Sequence, residues 1–172
     1  DMLIPKLNEN AESFDAYFQR LPRDLLHVPE DIVRTWFWYH NEQALEFSEF
    51  YDFTKWSFRL ESFSNDKIMA IRHYEYYLSK LDAKGQEFLK GRMSGYDTAD
   101  FMLENGTFPC AILVAANCGE FRHHQSTGDE MVLEPYHVIE GQRRLGFVRA
   151  LITADHPALK SHHHVWVATI EA

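Results

Sequence analysis

Residues 136–146 read YHVIEGQRRLG, and the chemistry they offer is that of an anion site. Val132 to Ile139 is rich in residues that suit a pleated, half-buried surface, whereas Leu145, Val148, Leu151 and Ile152 recur with helical spacing. Gly141 stands where one pattern gives way to the other. A glycine at a strand-to-helix turn lets a ligand approach the backbone. The first N–H groups of the helix then point outward, with the positive end of the dipole behind them, and that geometry suits a phosphate. Arg143 and Arg144 fall in the first turn, where the dipole opposes a cation by about 0.3 to 1 kcal/mol unless an anion compensates it. Their placement asks either for a bound anion or for carboxylate partners, and Glu134, Glu140 and Glu171 are available for ordinary surface pairs.

Other residue types could carry chemistry, with less support. His123 and His124 lie in the polar stretch Asn117 to Glu130, and His162, His163 and His164 form a short run near the C-terminal end. Imidazoles ligate zinc, copper, nickel and iron, but no HExxH or paired CxxC spacing is present. Adjacent strand residues face opposite ways, so only His162 and His164 of that run share a side. No metal site is expected. Ser126 and Thr127 near His124, or Cys118 near His123, make dyads on paper only, since no GxSxG elbow or cysteine-protease signature accompanies them. If the polar stretch folds over the glycine turn as a lid, Arg122 and His123 would add positive charge above a bound phosphate. A surface loop with no ligand role fits the same composition.

These residues need a scaffold, and the composition supplies one. The chain has 172 residues, 45% of them apolar, enough for one compact unit with a substantial core. Seventeen Lys and Arg against 26 Asp and Glu leave a net charge of -9, which disfavours sequence-independent binding to DNA or RNA. No apolar run approaches the roughly 20 residues that span a bilayer, and the first residues lack the basic segment and apolar core of a secretory signal. A cytoplasmic protein with no membrane association is the expectation. Cys110 and Cys118 belong to no CxxC motif and suggest buried or free thiols.

The predicted elements fall into two regions, a helical N-terminal region over residues 1–95 and an α+β region over 96–172, expected to form one compact unit. In the first, Ile32, Val33, Trp36, Phe37, His40, Ala44, Leu45 and Phe47 predict an amphipathic helix from about Pro29 to Tyr51. A second helix, capped by Ser64 or Asn65, is predicted through Ile68, Ile71, Tyr74, Tyr77, Leu78 and Leu81, its apolar stripe facing the first. Thr54 to Leu60 is either a short strand or an extended connection. The second region reads as a helix opened by Asp97 and stopped by Asn105 and Gly106, then a buried strand at Pro109–Ala115. The polar stretch, the strand ending at Ile139, a helix from Gly141 to Thr153 and a strand from His164 to Ile170 follow. The fold class expected is α+β, a helical N-terminal half packed on a small mixed sheet. The aromatic block of Trp36, Phe37, Trp38 and Tyr39 reads first as packing, and the aromatic front half, with Trp36, Trp38, Tyr39, Tyr74, Tyr76 and Tyr77, reads second as a surface for a protein partner.

With these elements in place, VIEGQRRLGFVRAL (Val138 to Leu151), preceded by FPCAILVA (Phe108 to Ala115) and followed by HVWVATI, resembles the ParB/sulfiredoxin-like nucleotide-binding superfamily. Its members place a glycine and a basic pair, in forms such as GERR, GGCHR or DGQHR, at a strand-to-helix turn. The resemblance covers roughly Thr98 to Ile170. It implies that Gly141 and the amides of Gln142 and Arg143 meet phosphate oxygens, that Arg143 or Arg144 donates charge-assisted hydrogen bonds, and that Glu140 matches the acid of the DGQHR form. Arg144 is the favoured arginine, because an arginine recurs at its position in all three forms. Two departures limit what is carried over. Gln142 stands where sulfiredoxins have their catalytic cysteine, so reductase chemistry is not expected. Gln142 and Gly146 replace a glutamate and an arginine of CTP-hydrolysing ParB proteins, so neither hydrolysis nor a cytidine preference is carried over.

The function expected is a nucleotide- or phosphate-binding module of a bacterial regulatory or defence-type system, its nucleotide accompanied by Mg2+. The competing reading is a partner-binding protein, such as an antitoxin, immunity or adaptor subunit, that keeps the fold without the ligand. An NTPase or ParB-like nuclease comes third, and catalysis is left open.

Overall fold

The computed structural model describes residues 4–9, 11–116 and 133–170. Helix α1 (Phe14–Gln19) is opened by Ser13, whose Oγ accepts from the Ala16 amide at 3.2 Å. Helix α2 (Glu30–Ile32) follows Pro29 and passes directly into a π-helical stretch, Val33–Trp38; α3 (Asn41–Ser48) completes this layer. Strand β1 (Ser57–Ser64), α4 (Asn65–Met69), β2 (Ile71–Arg72) and the long α5 (Glu75–Leu89) come next. The remainder is α6 (Asp97–Asn105), β3 (Ile112–Ala115), β4 (Tyr136–Glu140), α7 (Gln142–Thr153) and β5 (His162–Thr169).

The five strands form one mixed sheet in the order β1-β5-β3-β4-β2. Its β5–β3 and β4–β2 pairs are parallel, and its β1–β5 and β3–β4 pairs are antiparallel. The alternation of side chains along the strands makes two cores. Leu113, Ala115, Ile139, Ala168 and Ile170 face one way, against Phe14, Phe37, Phe47 and Trp56 of the N-terminal layer. Ile112, Val114, Val138, Val165 and Val167 face the other way, against Phe88, Met102, Leu145, Phe147 and Leu151. The molecule is thus an α+β protein with helices on both faces of its sheet.

The predicted helix from Pro29 to Tyr51 is interrupted in a telling way. Tyr39 N–H bonds to Arg34 C=O at 3.2 Å, five residues back, and the wider turn brings Val33, Trp36 and Phe37 to the core together. His40 then leaves helical geometry, at φ −115° and ψ 46°. Buried Asn41 ties the break to the N-terminal segment: its amide donates to Phe37 C=O at 2.7 Å and Pro5 C=O at 3.0 Å, and its Oδ1 accepts from Leu7 N–H at 3.0 Å.

The second predicted helix is a further correction. Ser64 does cap it, its Oγ accepting from Lys67 N–H at 3.2 Å, but α4 stops at Met69 so that Ile71 and Arg72 can pair with Tyr136 and His137. Helix α5 then starts afresh and packs on α7, across the sheet from the first helical layer rather than against it. Thr54–Leu60 resolves into a short 3-10 turn and the start of β1. The first 95 residues therefore supply two of the five strands, and the sheet is shared between both predicted regions. The later elements lie close to expectation: α6 ends at Gly106, which takes the left-handed conformation at φ 64°, and β3, β4, α7 and β5 match within a few residues.

Candidate functional site

The strand-to-helix turn is the centre of the site. Strand β4 ends at Glu140, Gly141 takes φ 96° and ψ 29°, and α7 begins at Gln142. The Leu145 amide bonds to Gly141 C=O at 2.9 Å, so the amides of Gln142, Arg143 and Arg144 lie ahead of the first intrahelical bond. Among the described residues no side chain caps them; Gln142 turns back instead and donates to Ile139 C=O at 3.1 Å. The register of β3 against β4 shifts beside the turn, where Ile139 is the extra residue between the Leu113–Glu140 and Val114–Val138 pairs.

Glycine is required at 141 for a reason independent of any ligand. A Cβ there would lie 2.5 Å from Ile112 Cγ2 and 3.1 Å from Arg144 Nη2, in a backbone region that L side chains rarely adopt. The close approach that this glycine permits is that of strand β3.

The two arginines have different surroundings. Arg144 is buried: its Nη2 lies 2.6 Å from Glu140 Oε2, and its Nη1 donates to Cys110 C=O at 2.7 Å and Cys110 Sγ at 2.8 Å, with Ala111 C=O at 3.3 Å. Burial disfavours its charge, but Glu140 more than offsets this and holds the pKa above the ordinary arginine value. Of the carboxylate partners open in the sequence, Glu140 is the one that engages Arg144; Glu171 lies outside the described residues. Arg143 is exposed, its guanidinium 5.5 Å from the Tyr96 ring centre.

The turn opens onto a cleft of about 1160 Å³. Arg34, Trp38, Tyr39 and His40 line it from the first helical layer, Lys84 from α5, Tyr96 and Asp97 from the start of α6, and residues 139–144 from the turn. Arg34 is engaged by Glu30 at 3.3 Å and lies 3.8 Å from the Phe14 ring centre. Among the described residues no carboxylate is in ion-pair range of Lys84 or Arg143. Cys110 also lines the cleft; burial raises its thiol pKa, against the opposing pull of Arg144. Tyr96, Lys84 and Arg34 carried no local signal in the sequence, because the cleft is formed by elements distant along the chain.

Among the described residues, none of the remaining candidates joins this cleft. His163 is buried, with Nε2 at 2.7 Å from Asn65 Oδ1 and Nδ1 at 2.7 Å from Thr107 Oγ1, while His162 and His164 on either side are exposed. Among the described residues no group of three or more His, Cys, Asp and Glu side chains is arranged to hold a metal ion. No described helix is long and apolar enough to cross a membrane. The lid candidates Arg122 and His123, with His124, Ser126, Thr127 and Cys118, lie outside the described residues.

Neither the family models, nor the curated proteins, nor the solved structures gave a match to this chain.

Proposed function

We propose that the chain is a binding module of the ParB/sulfiredoxin-like type that holds a nucleotide, or another small phosphate-bearing molecule, in the cleft at the Gly141 turn. The observation that carries this reading is the meeting of three features in one space. Among the described residues, they are the uncapped amides of Gln142 and Arg143, two cations without a carboxylate partner, Arg143 and Lys84, and an aromatic wall of Trp38, Tyr39 and Tyr96. The amides and cations suit phosphate oxygens. The aromatic faces suit a base, since stacking on such side chains tolerates any base. A crevice beyond the carboxyl end of a strand, with a helix starting at its floor, is also where open α/β sheets commonly bind ligands. The system served would be bacterial regulation or defence, as the resemblance implies.

In this reading the phosphate contacts come from the Gln142 and Arg143 amides and from the Arg143 side chain, while Arg144 and Glu140 shape the turn beneath them. A Mg2+ ion would enter with a nucleotide triphosphate as its counterion. No residue is assigned a catalytic step.

The test is a thermal-shift screen of ATP, GTP, CTP and UTP, each with and without magnesium, alongside inorganic triphosphate. A ligand at 100 times its Kd stabilises by about 2.7 kcal/mol, which for a chain of this size is a rise of roughly 5 to 11 °C. A rise with triphosphate alone places the recognition in the phosphates; a rise with one nucleotide only adds base selection. No rise with any of them favours the partner-binding reading, for which the exposure of Tyr39 (71%) and Phe50 (63%) on the first helical layer is the supporting observation.

A further inference from the structure

The sheet has two edges, and they are unequal. Strand β2 has two residues, whereas β1 has eight and, among the described residues, pairs only with β5. Among the described residues, no backbone hydrogen bond from residues 57–64 reaches any other element. The outward N–H and C=O groups of β1 therefore form a template for another strand. Natural edges are usually blunted by proline, a bulge, lysine or short length; β1 reads SFRLESFS, pairs with β5 without a register shift, and exposes Leu60 at its middle to 49%.

The order of charges selects a partner. Arg59 and Glu61 flank Leu60 and lie on the same face of the strand. If a second β1 is laid antiparallel with Leu60 opposite Leu60, a two-fold axis passes through that pair. Each Arg59 then faces the partner's Glu61, and Phe58 faces the partner's Ser62. Both charged pairs are complementary, and two half-exposed leucines cover each other at the axis. Within one chain the Arg59–Glu61 contact is loose, Nε to Oε1 at 3.5 Å, and both side chains stay partly exposed, at 52% and 30%, open to a partner's charges.

We infer that β1 is a self-association edge, through which two copies of the chain join their sheets into one continuous ten-stranded sheet with Leu60 on the two-fold axis. The inference is independent of the cleft.

The test is light scattering after size exclusion, over a dilution series, on four proteins and one mixture, with the melting temperature recorded for each protein. Wild type is expected to dimerise reversibly. Arg59→Glu and Glu61→Arg each place like charges opposite one another twice, and each alone is expected to weaken dimerisation by about tenfold or more. Mixing these two single variants restores both attractions, so a heterodimer is expected from two proteins that are monomers alone; the double variant R59E/E61R is expected to dimerise like wild type. An intrachain role for the pair would not produce the heterodimer. A wild type that stays monomeric overturns the inference, as does a dimer indifferent to either charge reversal or a mixture that fails to associate while both variants remain folded.

Discussion

Glu140 and Arg144 form a buried ion pair at 2.6 Å across the turn between β4 and α7, and the same guanidinium reaches the Cys110 carbonyl at 2.7 Å. A cation at the start of a helix runs against the dipole, and here the compensating anion is built into the chain. The pair joins three segments: the end of β4, the first turn of α7 and the approach to β3. Removing one partner would leave the other charged and buried. Arg144→Ala and Glu140→Ala are each expected to destabilise the fold by about 3 to 5 kcal/mol, read as a lower urea midpoint with little change in slope. A loss below about 0.5 kcal/mol, as at an ordinary surface site, would show that the pair does not hold the turn.

The crossing of α5 on α7 depends on two glycines. A Cβ at Gly85 would lie 2.6 Å from Gly146 C=O, and one at Gly146 would lie 2.8 Å from Leu81 C=O. Both obstacles are backbone atoms, which move only if the helices separate. The same approach stacks Phe88 on Phe147 at 4.3 Å. Although alanine favours a helix over glycine by roughly 1 kcal/mol, Gly85→Ala and Gly146→Ala are expected to lower stability by about 1 to 3 kcal/mol. Thermal melts of the two variants decide it, and a stabilised variant would mean that the helices have room to spare.

These two relationships mark how far the sequence could be read. The Gly141 turn, the inward residues Leu145, Val148 and Leu151 of α7, and the strands around them were legible because their cues are local: a glycine at a change of period, and apolar residues spaced three and four apart. The π-helical stretch was not, since Val33–Trp38 satisfies helical spacing and the wide turn arises from packing two large aromatics into one core. Strand β2 was hidden for a similar reason. Ile71 fits a helical stripe as well as a strand, and only pairing with Tyr136, far along the chain, decides between them. In the site, the Arg144–Glu140 pair was among the partnerships open in the sequence, whereas Cys110, Lys84 and Tyr96 come from distant segments that nothing local connects to the turn.

The buried His163 sets a pH dependence. Burial is the largest cause of its lowered pKa, with a smaller contribution from His162, and the value falls to about 4. In the unfolded chain histidine titrates near 6.5, so between about 4 and 6.5 the unfolded state binds the proton that the folded state refuses. Stability from this group is therefore complete above pH 6.5 and declines as pH falls to 4, by up to about 3 kcal/mol. His163→Gln removes the titrating group and keeps an amide near Asn65 and Thr107. Urea melts across this range are expected to show a shallower acid decline for the variant than for wild type; parallel declines would assign the acid sensitivity to the carboxylates.

The last prediction separates the two arginines by what each one touches. Arg143 is exposed at the mouth of the cleft and meets the Tyr96 ring, while Arg144 is committed to Glu140 and Cys110. Arg143→Ala should therefore leave the melting temperature of the free protein almost unchanged, as surface substitutions usually fall within about 0.5 kcal/mol. It should weaken triphosphate or nucleotide binding by about tenfold or more, the loss of one charge-assisted hydrogen bond worth roughly 1.5 to 3 kcal/mol. Lys84→Ala is expected to act in the same direction and more weakly, since an ammonium lacks the guanidinium's forked geometry. Arg144→Ala should lower stability first, and any ligand effect should appear with that loss. Calorimetric titration of each variant with the ligand found by thermal shift, beside its melting curve in buffer alone, provides both numbers. Full affinity in Arg143→Ala would show that the exposed arginine takes no part in the site and that any anion is held by backbone amides or elsewhere on the protein.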